Sequence, residues 1–280
     1  MKTSARLSLR QDNVLDFLDK FGIEADPIHE LDEFLLACQQ VNPRYQGNRD
    51  LVRFQLETDE STWDDSTIRA IMKLAKSWGM THGDTMFSDF DGNVIVALGG
   101  ARRSPLLRAL YAILATLDRK AYANLIIVAG SLRQLLDAEK LVTQDFAPDA
   151  QTEYDLCVGA RNMLLARYPH IKIETVCEDD PKSGNDGVIK AVMRACENRL
   201  ATQYGFNASK MSFAGVTTQI YVRALDFDLA RNAKIYGWSD YAAAGHCSDP
   251  EMVAKRTVAT YLSECLTTLR KAALAAAEGC

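Results

Sequence analysis

The chain lacks an apolar run long enough to cross a bilayer. Its opening stretch, "MKTSARLSLRQDNVLDFLDKF", is broken by Gln11, Asp12 and Asn13 before a signal-peptide core can form. The expectation is a cytoplasmic protein with no membrane partner. Positive charge is not in excess either: the formal net charge is −5, which argues against nucleic acid or an anionic membrane as the main partner. Seven cysteines are present (Cys38, Cys157, Cys177, Cys196, Cys247, Cys265 and Cys280), but they form no CxxC pair and no zinc spacing. An odd count in a chain of 280 residues speaks against a disulfide framework and for a reducing compartment. None of His29, His82, His170 and His246 has a partner at ligand spacing, so no metal is expected. GxGxxG, GxxxxGK[ST] and GxSxG are all missing. That disfavours a conventional nicotinamide cofactor, a nucleoside triphosphate loop and a serine-hydrolase elbow.

What is present is a change of pattern near residue 90. Before it the apolar residues recur at helical spacing: Val14, Phe17, Leu18 and Phe21, then Ile68, Ile71, Met72, Ala75 and Trp78, with Gly22 and Gly79 as stops. Residues 1–90 therefore read as an all-helical extension whose stripes need a partner to bury against. A polar loop, "VNPRYQGNRD", follows its second helix.

From residue 93 short Val/Ile-rich runs alternate with helices. "NVIVALGG" (93–100), "NLIIVAGS" (124–131), "IKIETVCE" (171–178) and "KMSFAGVTT" (210–218) are strand candidates, with "AKIYGWSD" (233–240) as a fifth. Near-continuous apolar strands separated by helices predict a parallel sheet covered on both faces. The fold class is thus α/β, a three-layer Rossmann-like sheet of about five strands over 91–280, ending in a long alanine-rich helix from about Asp249 to Glu278. In such a sheet a ligand sits beyond the carboxyl ends of the strands.

Those ends carry the candidate site. Gly99 and Gly100 precede Arg102, Arg103 and a helix start at Ser104-Pro105, a combination suited to an anion. Gly130 and Ser131 end the second strand. Glu153 opens a helix whose Thr152 and Asp155 have capping-box spacing. Glu178, Ser183 and Asn185 belong to "CEDDPKSGNDG", where Ser183 and Asp186 share that spacing, while Asp179 and Asp180 read as solvated. Thr217 and Thr218 end the fourth strand and can cap the next helix. On that helix Arg223 leans back toward the strand ends or pairs with Asp226 or Asp228.

The order "VIVALGG…R", "IIVAGS", "TEYDLCVGARNMLL", "CEDDPKSGNDGV", "AGVTTQIYVRALDFDLAR" resembles the YdcF/SanA-like bacterial domain family over roughly residues 93–238. The chain departs from the family pattern at Ser183-Gly184-Asn185-Asp186 and at Ser131, and it has Thr218-Gln219-Ile220-Tyr221 where the family has Ser-x-x-His. The resemblance implies a Rossmann-like fold and a small anionic, nucleotide-like ligand, with S-adenosylmethionine as a candidate. In that reading Glu153 and Glu178 are the candidate catalytic groups of a transferase or hydrolase. The alternative is a non-catalytic ligand-sensing or regulatory module that uses the helical extension as a partner surface.

Overall fold

The computed structural model describes residues 4–42, 63–81, 85–87, 89–246 and 256–280. Most of the loop "VNPRYQGNRD" and the stretch from Asp249 to residue 255 lie outside the described residues. The chain forms two units: one takes Met1–Gly83, Gln219–Arg231 and Cys247–Cys280, the other Asp84–Thr218 and Asn232–His246.

The second unit holds a five-stranded sheet of order β3-β2-β1-β4-β5, all parallel. Its strands are β1 (Phe90–Leu98), β2 (Ala121–Ser131), β3 (Ile173–Glu178), β4 (Ser212–Thr218) and β5 (Asp240–His246). Val94, Ile95, Val96 and Ala97 are all fully buried, because the central strand is covered on both faces. Ile95, Ile126, Val128, Ala214 and Val216 pack on one side with Ile113 and Leu156. Those two come from helices α5 (Ser104–Leu117) and α7 (Glu153–Arg167). On β2 and β3 lies α8 (Gly184–Ala195), which buries Val188, Ile189, Val192 and Met193, and the short α9 (Ala201–Tyr204) follows it.

One strand is not where the sequence places it. Residues 233–236 finish the helix α10 (Val222–Tyr236), which Gly237 stops at a φ of +66°. The fifth strand is instead "DYAAAGH". Its alanines and glycine have little strand propensity of their own, and pairing with β4 decides its conformation.

The helical unit contains α1 (Ala5–Leu9), α2 (Asp12–Lys20), α3 (Leu31–Val41) and α4 (Asp65–Ser77). Their apolar stripes converge on α11 (Val258–Ala277), so Phe17, Phe34, Ile71 and Leu74 share a core with Leu262, Cys265, Leu266 and Leu269. Leu74 joins the stripe read on α4, whereas Ile68 and Met72 are only half-buried. Gly79, at a φ of +72°, follows the end of α4 as expected.

In the sheet unit, α7 is started by a complete capping box. Thr152 Oγ1 accepts from the Asp155 amide at 3.2 Å, and Asp155 accepts from the amides of Thr152 and Gln151 at 2.8 and 2.9 Å. Burial raises the Asp155 pKa, but these donors outweigh it and hold the carboxyl below its ordinary value. Thr152→Ala is expected to lower the unfolding free energy by about 1 kcal/mol. Urea unfolding at neutral pH measures this, and a variant as stable as the parent would show that the cap contributes nothing.

Candidate functional site

The strand order reverses between β1 and β4, so the carboxyl ends of these strands form a topological switch point. Three arrangements of charged side chains stand along this edge of the sheet.

Between β1 and β2 the chain places Glu153. No side chain intervenes there, because Gly99 directly follows β1 and Gly130 is the last residue but one of β2. A Cβ on Gly99 would collide with Glu153 Oε1 and come within 2.9 Å of the Ala129 carbonyl oxygen, and one on Gly130 would lie 3.2 Å from Glu153 Cγ. Ser131 Oγ donates to Glu153 Oε2 at 3.0 Å, and Arg133 Nε approaches the same oxygen at 3.5 Å. Oε1 receives no hydrogen bond from the described residues. Arg133 in turn grips Glu139 with both terminal nitrogens, at 3.0 and 3.1 Å. Glu139 is fully buried and also accepts from the Leu136 amide at 2.8 Å. Burial alone would lower the Arg133 pKa, but the two carboxylates raise it above the ordinary value.

The loop 132–151 makes this meeting possible. Gln134 and Thr152 form an antiparallel bridge, and the short helix α6 (Asp137–Leu141) carries Glu139 back beneath the loop. Under Gly130 lies Cys157, fully buried. Burial pushes its thiol well above the ordinary value, so it packs rather than reacts.

At the switch point itself sits Arg108, only 5% exposed. Its guanidinium donates to the carbonyls of Leu98, at 2.8 Å, and of Gly99, and to Thr218 Oγ1 at 3.0 Å. Thr218 therefore accepts from Arg108 rather than capping a helix. Thr217 is buried beside it, and the chain continues into a 3₁₀ turn at Gln219–Tyr221. Gly100 leaves room for Arg108 as well, since a Cβ there would lie 3.2 Å from a guanidinium nitrogen.

The predicted residues thus divide. Gly99, Gly100, Gly130, Ser131 and Glu153 come together at the ends of β1 and β2. Glu178 ends β3, but both its oxygens are taken, one by the Asp180 amide at 3.1 Å and the other by Arg194 at 3.0 Å. Ser183 donates to the Asp180 carbonyl at 2.9 Å and makes no side-chain cap, so the capping box read with Asp186 does not form. Asp186 pairs with Lys190 at 2.7 Å instead. Asn185 is half-buried on the first turn of α8. Of the two arginines after Gly100, Arg103 is half-exposed and paired with Asp145 at 2.9 Å, and Arg102 adopts a left-handed φ of 56°. Arg223 belongs to the helical unit, where it donates to Asp226 at 3.0 Å and Ser8 at 2.7 Å and covers the Phe227 ring.

Arg108, Arg133 and Glu139 are absent from the sequence-based candidates. Arg108 carried a usable signal: it lies one turn into α5, where a side chain leans back toward the strand ends. Elsewhere in this unit an open cavity of about 180 Å³ is lined by Tyr122, Asn124, His170 and Lys172, at the amino ends of β2 and β3. Among the described residues no group of three or more His, Cys, Asp or Glu is placed to hold a metal ion. No family model matches the chain, and neither does a curated protein or a solved structure.

Proposed function

We propose that the sheet unit binds a small nucleotide-like ligand at the carboxyl ends of β1, β2 and β4, as the resemblance to the YdcF/SanA-like family implies, with S-adenosylmethionine as the leading candidate. The observation that carries this reading is the carboxylate of Glu153, which stands over Gly99 and Gly130 with one oxygen engaged and the other without a hydrogen bond from the described residues. Such an oxygen suits the ribose hydroxyls or the ammonium of that ligand. Its carboxylate suits the guanidinium of Arg102 at the start of α5, beside Gly99 and Gly100. Adenosylmethionine therefore fits the residue types at this edge and would supply an activated methyl group.

A transferase or hydrolase reading assigns Glu153 to the ligand. Glu178 is a poorer candidate, because Arg194 and the Asp180 amide already engage it. The second reading, a ligand-sensing module, is favoured by the burial of Cys157, whose thiol packs under Gly130 rather than facing a ligand.

Thermal unfolding with adenosylmethionine, adenosine, nucleotides and sugar phosphates tests the proposal. Saturation at a hundred times Kd stabilises a protein by about 2.7 kcal/mol. For a chain of this size that corresponds to roughly 5–10 °C in Tm. If no member of the panel raises Tm, the ligand-binding reading is wrong. Consumption of the best ligand on prolonged incubation identifies an enzyme, and its recovery intact identifies a sensor.

A further inference from the structure

The two oxygens of Glu153 are not equivalent. Oε2 takes the Ser131 hydroxyl and faces Arg133 Nε, while Oε1 points across Gly99. The donors that hold Oε2 are themselves fixed. The Arg133 amide approaches Ser131 Oγ at 3.4 Å, leaving the hydroxyl proton for Glu153. The Arg133 guanidinium is held in plane by its two bonds to the buried Glu139. The side chains of Arg133 and Glu153 are each 13% exposed, so neither swings freely in solvent.

We infer that Arg133 and Ser131 are positioning residues that make Glu153 Oε1 a dedicated acceptor, which selects a ligand by a hydrogen-bond donor, either ribose hydroxyls or an ammonium. A phosphate or carboxylate is excluded from this spot, because only acceptor atoms would meet there. This rests on the ligand reading above and narrows it: the anionic part of the ligand lies elsewhere along the edge, and the contact between β1 and β2 is with a donor.

Glu153→Gln tests the assignment without changing shape. Two donors, Ser131 Oγ and Arg133 Nε, demand an acceptor at the position of Oε2, so the amide oxygen turns to them. Its NH₂ group then occupies the open side, and the acceptor offered to the ligand becomes a donor.

The experiment is calorimetric titration of parent and variant with adenosine, 2′,3′-dideoxyadenosine and adenosylmethionine. If hydroxyls are the donor, the parent binds adenosine at least tenfold more tightly than the dideoxy analogue, and Glu153→Gln removes the difference. If the ammonium is the donor, the two nucleosides bind alike and Glu153→Gln weakens adenosylmethionine alone by tenfold or more. Probes that bind the parent and bind the variant equally well overturn the inference and leave the ligand reading intact. Should none of the three bind the parent, both fall. If the variant does not fold, Ser131→Ala, which loosens Oε2, must reduce the same discrimination at least threefold, and unchanged discrimination overturns the assignment.

Discussion

Glu139→Ala is expected to lower the unfolding free energy by about 3–5 kcal/mol, although Glu139 touches no proposed ligand. The residue is fully buried and gives both oxygens to Arg133 and one of them also to the Leu136 amide. Truncation strands a nearly buried guanidinium with Glu153 as its remaining carboxylate. Breaking such a pair costs far more than forming it gained, because the surviving charge stays desolvated. Replacing both partners together, as Arg133→Met with Glu139→Leu, is expected to recover much of the loss. Urea unfolding of the two single variants and the double one measures the coupling. A loss below about 1 kcal/mol in Glu139→Ala would mean that water reaches the pair and that it is an ordinary surface bridge.

Arg108→Met is the second large effect. Methionine fills the space of the arginine stem but withdraws the donors from Leu98 O, Gly99 O and Thr218 Oγ1. Each buried acceptor left unmade costs about 1–3 kcal/mol, so a loss of about 3 kcal/mol or more is expected. Arg108→Lys should recover only part of it, since one ammonium cannot reproduce a planar fork that reaches both β1 and β4. Denaturant midpoints of the three proteins check this. A methionine variant within about 1 kcal/mol of the parent would show that the switch point is solvated rather than closed by Arg108.

Legibility followed the kind of signal each element carries. The runs that become β1 and β2 are continuous and rich in Val and Ile, so their burial can be read directly, and β3 and β4 follow from short apolar runs that end in Glu178 and in Thr217-Thr218. "DYAAAGH" has no such signature, while "AKIY" before it mimics one, so the fifth strand is displaced toward the end of a helix. At the site, Gly99, Gly130, Ser131 and Glu153 are visible as small residues and a carboxylate at strand ends. Arg108 hides because helical periodicity treats an arginine beside a leucine stripe as solvent-facing. The Arg133–Glu139 clamp is invisible for another reason: the two residues meet only because 132–151 folds back through the Gln134–Thr152 bridge. Arg223 does not lean back toward the strand ends: on its own helix it reaches forward to Asp226 and the Phe227 ring, and its other acceptor is Ser8.

The placement of α11 has a consequence for the order of synthesis. The helices carrying Phe17, Phe34 and Leu74 leave the ribosome before the sheet unit, yet their shared core also needs Leu262, Leu266 and Leu269. At ordinary elongation rates that interval is roughly ten seconds or more. The sheet unit closes with His246, before α11 is made. The apolar stripes of α2, α3 and α4 are therefore covered only after the whole sheet unit has been synthesised, and until then they depend on one another for burial.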